Sequence, residues 1–166
     1  MKKLHSDYVI TASTYPGENS GIEAIAEAGA KLIFVHGMIS DNKGKILLNL
    51  LDEISDRGII PGIATHDPIP TIEYCVQNSL NVKAFLIPFN ATGAFMGNQQ
   101  RLEETVNNTK DYDYISMKTL ASGKINPEIA FEYISNHNIS AVTIGMVTPK
   151  EAMESTSIAL KFLKDK

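Results

Sequence analysis

Residues 31–66, KLIFVHGMISDNKGKILLNLLDEISDRGIIPGIATH, contain the pattern that decides the fold. A short apolar run is followed by a segment of helical length and then by a second apolar run. Gly58 ends the helical segment. The apolar stripe of this segment consists of Ile46, Leu47, Leu50, Leu51 and Ile54. Runs that are almost entirely apolar are typical of parallel strands covered on both faces. The stretch therefore predicts a β-α-β unit with a right-handed crossover.

The same alternation extends along the whole chain. The apolar runs are residues 8–13, 31–36, 59–66, 82–90, 112–120 and 141–146. Their even spacing and the lack of a Gly-rich first turn favour barrel-type β/α units over an open doubly wound sheet. A complete barrel takes about 250 residues. We therefore predict a single α/β domain over residues 1–166, with six parallel strands forming an incomplete TIM barrel that lacks two N-terminal units.

Several helix starts are marked in the sequence. Ser20 and Glu23 predict a capping box, and Pro70 predicts the first turn of a later helix. Asn126 and Thr148, each followed by proline, predict N-caps.

Composition excludes several classes of protein. With 43% hydrophobic and 20% charged residues, the chain is predicted to be an ordinary soluble domain rather than a disordered one. No apolar run approaches the roughly 20 residues of a membrane helix. Cys75, the single cysteine, allows no disulfide within the chain, and a net charge of −4 gives no reason to bind nucleic acid or anionic membranes. We expect a cytoplasmic protein with a small-molecule partner, self-associating through its exposed strand edges.

Polar side chains stand at the ends of four successive predicted strands. They are His36, His66 with Asp67, Asn90 and Lys118. The C-terminal ends of parallel strands form one face in barrels and open sheets alike, so we expect these residues at one rim. Their common position predicts a catalytic site.

Lys118 follows an apolar strand, so we expect its side chain to be partly desolvated. Desolvation lowers the pKa of an amine. The neutral amine can attack a carbonyl and form a Schiff base, whereas the ammonium can hold a phosphate or a carboxylate. The alternative interpretations are a lysine that extends its ammonium into solvent past its apolar neighbours, and a structural ion pair.

The two histidines each have a functional and a structural interpretation. His36 is a candidate general acid or hydrogen-bond donor to a substrate oxygen, or a histidine hydrogen-bonded beneath its loop. His66 and Asp67 are candidates for moving protons, although Asp67 can equally cap the next helix. Histidine and carboxylate ligands suit zinc, but the sequence has no His-x-His pair, and we predict no metal site.

The last two strand-to-helix loops are the usual phosphate position of barrels. A helix capped by Thr148 would also offer free N–H groups to an anion. The predicted cofactor-binding residues are Ser122, Gly123, Gly145, Met146, Thr148 and Lys150.

Several segments resemble, in order, the aldo-keto reductases. They are residues 31–36, 58–66, 85–90, 117–123 and 143–151, which are similar to the family's fourth to eighth strands and the loops that follow some of them. The resemblance implies that the chain corresponds to the third to eighth β-α units, with the first two missing. It also implies that His36 is the catalytic histidine and that the last helix start holds the phosphate of NADP. Where the family's third strand ends in a catalytic lysine, this chain has Thr11-Ala12-Ser13.

Three functions follow from these patterns. The resemblance favours a divergent oxidoreductase that acts on a small carbonyl compound with a nicotinamide cofactor. The alternatives are a Schiff-base lyase or aldolase that uses Lys118 without a cofactor, acting on a carbonyl or phosphorylated substrate, and a non-catalytic barrel fragment.

Overall fold

A computed structural model gives the structure of residues 8–17 and 19–164. Its six strands are all parallel and form one sheet in chain order. They are β1 (Thr11–Ser13), β2 (Leu32–Val35), β3 (Ile60–Ala64), β4 (Ala84–Pro88), β5 (Asp113–Met117) and β6 (Ala141–Val142). Every strand lies within one of the predicted apolar runs. The prediction of an α/β fold with six parallel strands is confirmed.

Helices separate the strands. They are α1 (Ile22–Glu27), α2 (Gly37–Ser40), α3 (Lys45–Asp56), α4 (Pro68–Gln77), α5 (Gln99–Asn108), α6 (Pro127–Ser135) and α7 (Pro149–Leu163). The predicted N-caps Asn126 and Thr148 are both present, and each side chain accepts a backbone N–H of the helix that it precedes. In the described part of the chain, no helix combines the length and apolarity needed to cross a bilayer.

Two helix starts differ from the prediction. Gly21, with φ 72°, is the N-cap of α1 in place of the expected Ser20–Glu23 capping box. Its left-handed backbone suits glycine, and a Cβ there would lie 2.5 Å from the ring of Tyr15. Helix α4 begins at Pro68 rather than at Pro70, because the first turn of a helix tolerates proline at several positions.

The sheet curls into an incomplete barrel. Its outer face and the helices enclose the main apolar core, which includes Cys75, whose thiol pKa is raised by burial to about 12. On the inner face, residues of both edge strands, β1 and β6, line a common cavity of about 290 Å³ with Phe34, Leu86 and Ile115. A Cβ on Gly62 would lie 2.6 Å from the Phe34 ring. Only glycine at this position leaves room for that ring in the barrel interior. The curl brings all strand ends to one rim.

Candidate functional site

The C-terminal ends of the strands form a rim that carries the polar residues singled out in the sequence. The parallel register, in which Val35 pairs with Ile63 and Pro88 with Met117, sets the strand ends at one edge. His36, the segment 65–67, Asn90 and Lys118 each follow directly or closely after a strand. The rim divides into two parts, one after β2 and β3 and the other after β4, β5 and β6.

The backbone after β5 has an unusual conformation. Lys118, Ala121 and Ser122 have positive φ values of 56°, 45° and 61°, although none of them is glycine. Such left-handed residues cost free energy, and they persist where the surrounding structure enforces them, often at functional sites. The loop after β5 is therefore the first candidate for a functional segment.

Hydroxyl groups fix this loop to its neighbours. The Ser116 hydroxyl donates to the carbonyl of Phe89 at 2.8 Å and lies 2.7 Å from the Thr119 hydroxyl. The Thr119 hydroxyl also reaches the carbonyl of Thr143 at 3.3 Å, and the Thr143 hydroxyl donates to the carbonyl of Ser116 at 3.1 Å. Lys118 thus projects from a backbone that is held on both sides.

The ammonium of Lys118 lies against an aromatic ring. Its Nζ is 3.8 Å from the centroid of the Phe95 ring, within the range of a cation–π interaction. Phe95 has a left-handed backbone, with φ 65°, and is 57% exposed. No carboxylate of the described residues lies within ion-pair distance of Lys118, so the predicted structural ion pair is not observed there.

Asn90 builds the loop that carries Phe95. Its side chain is fully buried, and its amide oxygen accepts the backbone N–H groups of Thr92 and Ala94 as well as the Thr92 hydroxyl. Its amide nitrogen donates to the carbonyl of Ala94 at 2.9 Å. Because these bonds occupy both ends of the amide, the structure gives Asn90 the role of positioning the loop.

Lys118 stands on the wall of a cleft of about 850 Å³. The cleft lies between the loops after β5 and β6 and the first turns of α7. Predicted site residues that line it are Lys118, Ser122, Gly123, Gly145 and Met146. The structure therefore brings the candidate lysine together with four of the six predicted cofactor-binding residues.

The start of α7 does not present the free N–H groups that were predicted to bind an anion. The Thr148 side chain accepts the N–H of Glu151, and the Glu151 carboxylate accepts the N–H of Val147. This capping arrangement occupies N–H groups that we expected to be free for an anion. Neither Thr148 nor Lys150 lines the cleft, whereas the carboxylates Glu151 and Glu154 do.

The histidine after β2 has a structural partner. His36 is the N-cap of α2, and its Nδ1 accepts the N–H of Met38 at 3.2 Å. Its own backbone N–H donates to the Thr14 hydroxyl at 3.0 Å. His36 stands at the rim as predicted, but outside the cleft that contains Lys118.

The loop after β3 is organised by Asp41, which the sequence did not single out. The Asp41 carboxylate accepts hydrogen bonds from the Thr65 hydroxyl and from the backbone N–H of His66. His66 Nδ1 lies 3.6 Å from the same carboxylate. Asp67 occupies the N-cap position of α4, but its side chain accepts no capping hydrogen bond. His66 and Asp67 both lie at the rim and outside the cleft that contains Lys118.

Comparison with known proteins adds no assignment. The chain matches no family model and no curated protein. Within the described segments, no group of three or more His, Cys, Asp or Glu side chains is arranged to hold a metal ion. The geometry of the cleft therefore carries the functional argument.

Proposed function

We propose that the chain is a Schiff-base enzyme in which Lys118 reacts with a small carbonyl compound in the cleft. The observation that carries this proposal is that Lys118, with a backbone φ of 56°, lines a cleft of about 850 Å³ while its amine rests against the neighbouring Phe95 ring. Four hydrogen bonds among neighbouring hydroxyl and carbonyl groups fix that backbone, so the origin of the lysine side chain is defined before a ligand arrives.

The chemistry follows from the amine. The neutral amine of Lys118 attacks the carbonyl carbon, forming a C–N bond while the oxygen gains a proton. The resulting carbinolamine loses this oxygen as water and becomes an imine. The exposed loop residues Ser122 and Gly123 leave the cleft open to solvent, which supplies and accepts the protons.

A nicotinamide-dependent reductase is the less well supported candidate. Ser122, Gly123, Gly145 and Met146 do line the cleft, as that function requires. However, the Thr148 cap occupies an N–H group of α7, and the acidic residues Glu151 and Glu154 line the cleft that would have to hold the pyrophosphate. Like charges in one cleft repel each other, so these residues do not fit a dinucleotide phosphate.

Trapping of the imine tests the proposal. Incubation with hydroxyacetone and cyanoborohydride should add the mass of one reduced adduct at Lys118, read by peptide mass spectrometry. Lys124, an exposed lysine six residues further along the chain, is the matched reference. Lys118→Arg should abolish adduct formation at that position and leave Lys124 unchanged. Equal labelling of both lysines, across a panel of aldehydes and ketones, would refute the proposal and favour a non-catalytic protein.

A further inference from the structure

The α7 wall of the cleft consists of Glu151, Glu154 and Ser155. Residues three or four positions apart share a helix face, which is why a single helix can present these side chains to one cavity. Lys118 is the only basic side chain among the described residues that line the same cleft. The lining therefore carries more negative than positive charge.

Both carboxylates are available to a ligand. Glu151 is held in place because one of its oxygens accepts the N–H of Val147 at 2.9 Å. No lysine, arginine or histidine of the described chain lies within ion-pair distance of Glu151 or Glu154. Lys161, further along α7, forms its ion pair with Glu128 and not with Glu151 or Glu154.

Ser155 provides an independent sign of a ligand on this wall. It is only 6% exposed, and it lines the cleft. Its hydroxyl makes no hydrogen bond within the described residues, and it is not fully enclosed, because the Tyr114 hydroxyl is the one completely buried side-chain polar atom without a partner there. The Ser155 hydroxyl is therefore reached from the cleft, where a polar group of a ligand can take the place of a protein partner.

We infer that the cleft selects a carbonyl compound that also carries an ammonium group, such as an amino ketone. The carboxylates of Glu151 and Glu154 attract the ammonium, and the Ser155 hydroxyl accepts one of its N–H bonds. Phosphorylated and carboxylated carbonyl compounds are repelled by the same wall. The carbonyl part of this assignment rests on the Schiff-base function proposed above, whereas the ammonium part rests on the α7 wall alone.

Three small ketones that share an acetyl group but differ in charge test this selectivity. Aminoacetone is cationic, hydroxyacetone is neutral and pyruvate is anionic. We expect the Lys118 adduct to form about fivefold faster with aminoacetone than with hydroxyacetone, the factor that one partly exposed ion pair supplies. Pyruvate should be slower than both. Glu154→Gln should lower the aminoacetone rate to about the rate measured with hydroxyacetone. Glu132→Gln, on the exposed face of α6, is the matched control.

A non-reacting amine separates this inference from the proposed function. 1-Aminopropan-2-ol has the ammonium group but no carbonyl, so its binding, followed by NMR titration, does not depend on imine formation. Weakened binding in Glu154→Gln and in Ser155→Ala, with wild-type binding in Glu132→Gln, supports the inference even where no ketone is trapped. Equal trapping of aminoacetone and hydroxyacetone, or amine binding that Glu154→Gln leaves unchanged, would overturn it while leaving the Schiff-base proposal intact.

Discussion

Replacing the ring beside the candidate amine should make that amine more reactive. In Phe95→Leu, Lys118 loses the cation–π interaction at 3.8 Å but keeps an apolar neighbour of similar bulk. Because Phe95 is 57% exposed, we place the interaction near the lower end of its range, at about 0.5–1 kcal/mol. This free energy stabilises the ammonium and not the neutral amine. Its loss should therefore raise the reaction rate of Lys118 by about two- to fivefold at neutral pH.

Reductive methylation measures this rate without assuming any substrate. Formaldehyde and cyanoborohydride label neutral amines, and peptide mass spectrometry gives the labelling of Lys118 relative to Lys124. Phe95→Tyr keeps the ring and should restore the wild-type ratio. Phe162→Leu is the matched control, because Phe162 lies 5.1 Å from the Nζ of another lysine, Lys161. An unchanged or lower Lys118 ratio in Phe95→Leu would show that the ring does not hold the ammonium.

Two further substitutions test the packing of the same strand. The Tyr114 hydroxyl is buried and makes no hydrogen bond of normal geometry in the described structure, although Thr109 lies close enough to lower its pKa, so Tyr114→Phe should raise the free energy of unfolding by about 1 kcal/mol in urea titrations. Burial raises the pKa of Tyr114 from 10.0 to about 12, against a lowering effect of Thr109, so the folded state holds this proton longer than the unfolded state does. Wild-type stability should fall as the pH rises above 10.0, and less steeply in Tyr114→Phe; a less stable variant, or parallel pH curves, would contradict this. At Lys118, with φ 56°, glycine relieves backbone strain that alanine keeps. Lys118→Gly should therefore unfold at higher urea than Lys118→Ala, by about 1 kcal/mol, and equal midpoints would argue against strain there.

The strands and their order could be predicted because both depend on local pattern and general topology. The run at residues 59–66 is apolar enough to mark a buried strand, and right-handed crossovers leave few ways to arrange six such runs. Strand β3 (Ile60–Ala64) indeed lies inside this run. The short helix α2 (Gly37–Ser40) was not predicted, because four residues make about one turn and cannot show a repeating amphipathic pattern.

The site residues that could not be predicted from the sequence contact partners that are distant along the chain. Asp41 accepts hydrogen bonds from Thr65 and His66, which belong to the next strand end, and nothing in its own neighbourhood marks it. Phe95 reaches Lys118 from the preceding strand-to-helix loop. Glu154 is one of several polar residues of α7, among them Glu151 and Ser155, so periodicity does not set it apart. Only the curl of the sheet and the path of the loops bring such residues together.

Position at a strand end does not by itself separate catalytic from structural residues in this chain. Asn90 and His36 stand where the topology places functional side chains, but the Asn90 amide and the His36 Nδ1 both bond backbone groups of their own loops. Lys118 and Ser155 share no strand and no motif, and they differ from those residues in that no protein hydrogen bond or ion pair of the described chain satisfies their polar atoms. A polar side chain that makes no such protein contact and lines open space is available to a ligand. On this criterion we propose that the ligand site lies between the β5 loop and α7.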